Sequence, residues 1–142
     1  MRVFMLALPL MVAVTAVAQD AAEPAAFGGL SVTEIVICRD MDRETRMPVG
    51  ASDRFTLDDT TLTCFTRITG AVDPTVVSHV WYHEGETRSR VELPVRSIEW
   101  RTWSSKSLLP AWTGRWTVKV LDAEGLVLAS IDFTVAAQEE TE

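Results

Sequence analysis

Between Leu30 and Val135 the chain is a succession of short β-type runs broken by turn residues, and no helical period is sustained over ten residues. That pattern leaves little besides an all-β fold. Leu30–Cys38 is rich in β-branched residues, and Thr61–Thr69 sets Leu62, Cys64, Thr66 and Ile68 against Thr61, Thr63, Phe65 and Arg67. Gly70 to Pro74 reads as a turn before Val76–His83, and Glu84-Gly85 joins that run to Thr87–Val95. Ile98–Ser105 follows, then a Pro110/Gly114 break, Arg115–Leu121, the turn Asp122-Ala123-Glu124-Gly125, and Leu126–Val135. Arg39–Asp59 is polar, contains Pro48-Val49-Gly50, and reads as a long loop with one short edge strand. Seven strands of this length and spacing predict an immunoglobulin-like antiparallel β-sandwich forming one domain, residues 30–137, with a small β-barrel as the alternative.

The flanks predict where such a domain works. Met1-Arg2 precedes an uncharged run from Val3 to Ala18 that ends Ala16-Val17-Ala18, the small-residue spacing of a signal-peptide cleavage site. Sixteen helical residues would span about 24 Å, short of a hydrocarbon core of about 30 Å. Residues 1–18 are therefore expected to be a cleaved signal peptide, residues 19–29 a flexible leader and residues 138–142 an acidic tail. A periplasmic or secreted location follows, with no transmembrane span left after cleavage. In that oxidising setting the only two cysteines, Cys38 and Cys64, are expected to form a disulfide between two core strands.

Thirteen Lys and Arg against twenty Asp and Glu give a net charge of −7, which disfavours nucleic acid as a partner. His79 and His83 are four residues apart, about 13 Å along a strand, too far to share one metal ion. No metal or cofactor is expected. Ser104-Ser105-Lys106 lacks the Ser-x-x-Lys spacing, and no Gly-x-Ser-x-Gly elbow is present. A triad assembled only in space leaves no mark in one sequence, so the chain commits to no catalysed reaction.

All five tryptophans fall between Trp81 and Trp116. Trp116 shares a strand face with Val118 and Val120 and reads as core, whereas Trp100 and Trp103 stand on opposite faces of one strand. The strings His79-Val80-Trp81-Tyr82-His83-Glu84-Gly85, Arg90-Val91-Glu92-Leu93-Pro94-Val95 and Trp100-Arg101-Thr102-Trp103-Ser104-Ser105-Lys106 resemble the bacterial family catalogued as domain of unknown function 2914. The likeness continues through Gly114-Arg115-Trp116-Thr117-Val118 to Phe133-Thr134-Val135, about residues 61–135 in all. It implies an exported or membrane-associated bacterial β domain and brings no activity with it.

Residues 87–119 hold seven cations against Glu92 and Glu99 alone, a basic stretch within an acidic chain. A two-residue Glu84-Gly85 turn sets Trp81 opposite Arg88 and His79 opposite Arg90, a face less apolar than the alternate one and therefore read as outward. In that register Arg88 is expected to lie over the Trp81 ring. A three-residue bulged loop would slip the pairing by one. Arg101, Trp103 and Ser105 share a face of the next strand and would extend the patch, with Lys106 beside them. The expected function is a non-catalytic binding module that recognises an envelope protein, or an anionic glycan or lipid headgroup, through His79, Trp81, Arg88, Arg90, Arg101, Trp103, Ser105 and Lys106. A structural accessory domain docking by a strand edge is the alternative, and a hydrolase of envelope polymers a third.

Overall fold

The computed structural model describes residues 29–138, so the signal-peptide, leader and tail readings fall outside the described residues but for their inner edges. Among the described residues ten strands run in chain order: β1 Ser31–Cys38, β2 Asp40–Asp42, β3 Met47–Val49, β4 Arg54–Thr56, β5 Thr61–Thr69, β6 Thr75–His83, β7 Glu86–Val95, β8 Glu99–Ser107, β9 Gly114–Leu121 and β10 Val127–Ala136. The seven long strands are those expected from the runs of alternation. The stretch read as a loop with one short edge strand holds three, β2, β3 and β4, of three residues each.

Two open sheets form a sandwich. One has the order β1-β5-β8; the other, β4-β10-β9-β6-β7, is antiparallel apart from the short parallel pair β4–β10. The three-plus-four arrangement of the long strands is that of an immunoglobulin-like sandwich, and neither sheet closes into a barrel.

Period-two alternation decides what lies between the sheets. From the three-stranded sheet come Ile37, Leu62, Cys64 and Ile68; from the five-stranded sheet come Val77, Trp81, Trp116, Val118, Val120, Phe133 and Val135, all buried. Trp81, Trp116 and Phe133 form an aromatic centre, with Trp81 edge-on to both neighbours at 6.5 and 6.1 Å between centroids. Rings of this size remove more apolar surface from water than any other side chain, so the core is built around them.

A second, smaller core sits on the outer face of the three-stranded sheet. The β2–β3 hairpin folds over that face and buries Met41 against Cys38 and Phe65, with Val36 and Trp103 packed alongside. This arrangement overturns the expected disulfide. Cys38 pairs with Thr63 and Ile37 with Cys64 in the β1–β5 ladder, so the two cysteines sit one position out of step. Side chains on adjacent positions point to opposite faces, which sends Cys64 into the sandwich and Cys38 under the hairpin. Both are free thiols, and Cys38 Sγ lies 3.9 Å from Met41 Sδ instead.

The β6–β7 hairpin has the expected two-residue turn, with Glu84 at φ 49° and Gly85 at φ 82°, the left-handed pair of a type I′ turn. His83 pairs with Glu86 and Tyr82 with Thr87, but Trp81 then pairs with Ser89, leaving Arg88 as a bulge. The slip of one residue moves Val91, Leu93 and Val95 onto the face of His79, Trp81 and Val77. That face is the core. The assignment of His79 and Trp81 to an outward surface is thereby corrected.

Candidate binding groove

The eight residues expected to form one patch occupy four places. His79 and Trp81 are fully buried between the sheets. Arg88 lies over the Trp112 ring at 5.4 Å rather than over Trp81, and its Nη2 is 3.0 Å from Glu86 Oε2. Arg90 pairs with Val80 on the exposed face of the five-stranded sheet. Lys106 pairs with Leu62 on the inward side of β8 and places Nζ 5.0 Å from the Trp112 ring, at one end of the sandwich. Arg88 and Lys106 thus share the Trp112 ring, and Arg101, Trp103 and Ser105 stay together on the surface, aligned along the outer face of β8 opposite Arg67, Phe65 and Thr63.

His79 has a structural assignment. Thr66 Oγ1 donates to Thr102 O at 3.0 Å, so its oxygen accepts from His79 Nε2–H at 3.2 Å. Trp81 Nε1–H donates to Ser104 Oγ at 3.0 Å, and the Ser104 hydroxyl donates to His79 Nδ1 at 2.7 Å. Every polar atom in this relay is used, and it ties β6 to β5 and β8 across the core. Burial lowers the His79 pKa to about 4, keeping the ring neutral. A serine beside a histidine invites a catalytic reading, but His79 is fully buried, Ser104 is 5% exposed, and a threonine hydroxyl stands where an orienting carboxylate would be.

The surface with chemical capacity lies around Trp103. A groove of about 420 Å³ is lined by Asp40, Met41, Arg43, Arg46, Thr63, Trp103 and Ser105. It runs into a second hollow of about 390 Å³ that shares Asp40, Thr63 and Ser105 and ends at Asp58 and Asp59. A third, of about 170 Å³, lies on the far side of Trp103 and shares Arg46 with the first. Trp103 is thus a half-buried ridge between hollows, with the Arg46 guanidinium 5.4 Å from its ring centroid. No histidine lines any of the three.

The hairpin wall is held by reciprocal arginine contacts. Arg101 Nη1 lies 3.1 Å from Thr45 O, and Arg46 Nη2 lies 3.3 Å from Arg101 O. Arg101 therefore fastens the hairpin. At the turn, Asp42 Oδ1 accepts from the amides of Glu44 and Thr45, and Arg46 takes a left-handed φ of 56°. Asp40, Met41, Arg43, Arg46 and Thr63 went unmarked in the sequence reading. The one local signal was the Asp42-x-x-Thr45 turn chemistry, which announces a hairpin without saying which sheet it covers.

Three groups face the groove with bonding capacity to spare. Thr63 Oγ1 and Ser105 Oγ are 2.9 Å apart, and their mutual bond leaves one hydroxyl proton and several lone pairs over. Asp40 Oδ1 accepts from Met41 N at 2.8 Å, leaving its second oxygen free to accept. Arg43 and Arg46 have no carboxylate within ion-pair distance among the described residues. The arrangement suits reversible recognition of a ligand with both hydroxyl and anionic groups.

No curated protein matches the chain. Residues 74–135, spanning nearly all of β6 to β10 and including Trp103 and Ser105 but not the hairpin wall, match the family described as "Protein of unknown function (DUF2914)". Over those residues the chain is similar to the DUF2914 family.

Proposed function

We propose that this protein is an exported, non-catalytic binding module, periplasmic or secreted, that recognises an envelope component through the outer face of its three-stranded sheet. The observation that carries the reading is the groove over Trp103, where an aromatic ridge, a hydroxyl pair and two arginines without an ion pair among the described residues converge. A half-buried indole beside hydroxyl and guanidinium groups combines apolar surface with hydrogen-bonding partners able to orient a polar ligand. The signal-like run at residues 3–18 supports export. Docking through the β7 edge is the weaker reading, because Arg90, Glu92 and Pro94 are exposed along that strand, and charges and proline guard an edge against strand addition.

A photo-crosslinking amino acid placed at Ser105, in the groove, and separately at Ser130, on the exposed face of the other sheet, tests the assignment in the producing cell. Adducts are expected from position 105 and not from position 130. Adducts from 130 alone, or from neither position, overturn it.

A further inference from the structure

We propose that the groove over Trp103 takes a carboxylate-bearing saccharide, a uronic-acid type of sugar; this rests on the reading of that groove as the binding face. A volume of about 420 Å³ lies within the range of small-ligand sites, about 300–1,000 Å³, and admits one or two sugar rings rather than a folded partner. Its lining holds both signs of charge. At the hairpin turn stand Arg43 and Arg46, whose planar guanidinium groups match a carboxylate through paired N–H donors. Among the described residues neither arginine makes an ion pair, although Asp42 and Glu44 stand on the same turn, so both guanidinium groups are left to meet an incoming carboxylate.

The rest of the lining selects against a simple anion. Asp40 repels a phosphate or sulfate seated deep in the groove, whereas its free oxygen accepts a bond from a neutral sugar hydroxyl. The Thr63–Ser105 pair keeps both donor and acceptor capacity, as a ring hydroxyl requires of its partner. The Trp103 indole lines the same groove, with the Arg46 guanidinium over its ring, and adds apolar surface against which the C–H face of a pyranose can pack. A ligand with one carboxylate and several hydroxyls satisfies all of these groups at once. A long acyl chain satisfies almost none, since only Met41 and Trp103 are apolar.

The test titrates the full mature chain with a uronic-acid tetrasaccharide, with the same tetrasaccharide after reduction of its carboxyl groups, and with a sugar phosphate. Vesicles containing an anionic phospholipid form a further arm. Binding of the uronate is expected, with at least tenfold weakening on carboxyl reduction and at least tenfold weakening in Arg43→Gln. Arg43 is exposed and makes no ion pair among the described residues, so this variant keeps the fold; Trp103→Ala, which removes packing against the small core, is read only alongside its melting temperature. Equal binding of the reduced saccharide overturns the proposal, as does preference for the sugar phosphate or the vesicles. If no saccharide binds while position 105 still gives adducts in the cell, the ligand class falls and the binding face stands. Absence of both removes both.

Discussion

Ser104 and Ser105 are chain neighbours with opposite consequences. Ser104 is a junction in the core, accepting from Trp81 and donating to His79, whereas Ser105 faces the groove. Ser104→Ala strands an indole N–H and an imidazole nitrogen out of water, and a buried polar group left unpaired costs about 1–3 kcal/mol. Urea denaturation should therefore show Ser104→Ala destabilised by about 2–4 kcal/mol, and Ser105→Ala by under about 1 kcal/mol. His79 adds a pH dependence whose sign is set by its lowered pKa. The folded ring stays neutral down to about pH 4, while in the unfolded chain it protonates near its ordinary value of 6.5. Between those values the unfolded state holds more protons, so stability is complete above about pH 6.5 and erodes as pH falls toward 4. The full loss is about 3 kcal/mol. In His79→Gln, less stable at neutral pH, the change in urea midpoint between pH 7.5 and 4.5 should be much smaller than in the parent chain. The difference between the two chains isolates this imidazole from His83. An equal change in both would show that His79 does not carry the effect.

The elements meet where one turn clamps another. Glu84, at the tip of the β6–β7 hairpin, exchanges hydrogen bonds with the start of β9: its amide donates to Arg115 O at 2.9 Å, and its Oε1 accepts from Arg115 N at 2.8 Å. Gly114 has a φ of 113°, and a Cβ there would run into the Glu84 carboxylate. Gly114→Ala should cost about 2–3 kcal/mol, combining backbone strain with loss of the clamp. Adding Glu84→Ala removes the clash, so the double variant should melt higher than the sum of the two single effects predicts. Strict additivity would mean that the side chains do not meet. The same hairpin shows where alternation is legible and where it fails. The two-residue turn and the apolar set Val91, Leu93 and Val95 were readable from the sequence. The bulge at Arg88 was not, because nothing in Thr87-Arg88-Ser89 distinguishes an inserted residue from a paired one. One unseen residue reversed the face to which Trp81 and His79 were assigned.

At the scale of the whole molecule, the sandwich was legible because seven strands bury one side each, and burial imposes period two on the sequence. The groove was legible only on its β8 side. Arg101, Trp103 and Ser105 alternate, so they declare a common face; Asp40, Arg43 and Arg46 belong to strands and a turn too short to show a period, placed by Arg101 contacts from fifty-five residues away. The same three-stranded sheet that holds the groove also keeps two sulfurs apart, one beneath the hairpin and one inside the sandwich. Burial raises both thiol pKa values, so neither forms much reactive thiolate while its cover is in place. The cysteines are thus two clocks wound by different motions. Peeling of the β2–β3 hairpin should expose Cys38 alone, and only separation of the sheets should expose Cys64. Pulsed alkylation followed by peptide mass spectrometry should find Cys38 modified at urea concentrations well below the unfolding midpoint, with Cys64 following the midpoint itself. Simultaneous modification of both would mean that hairpin and sandwich open as one unit. With separate onsets, the groove wall can be timed as it loosens from an intact scaffold, and a ligand seated between hairpin and β8 should slow the first clock while leaving the second far less altered.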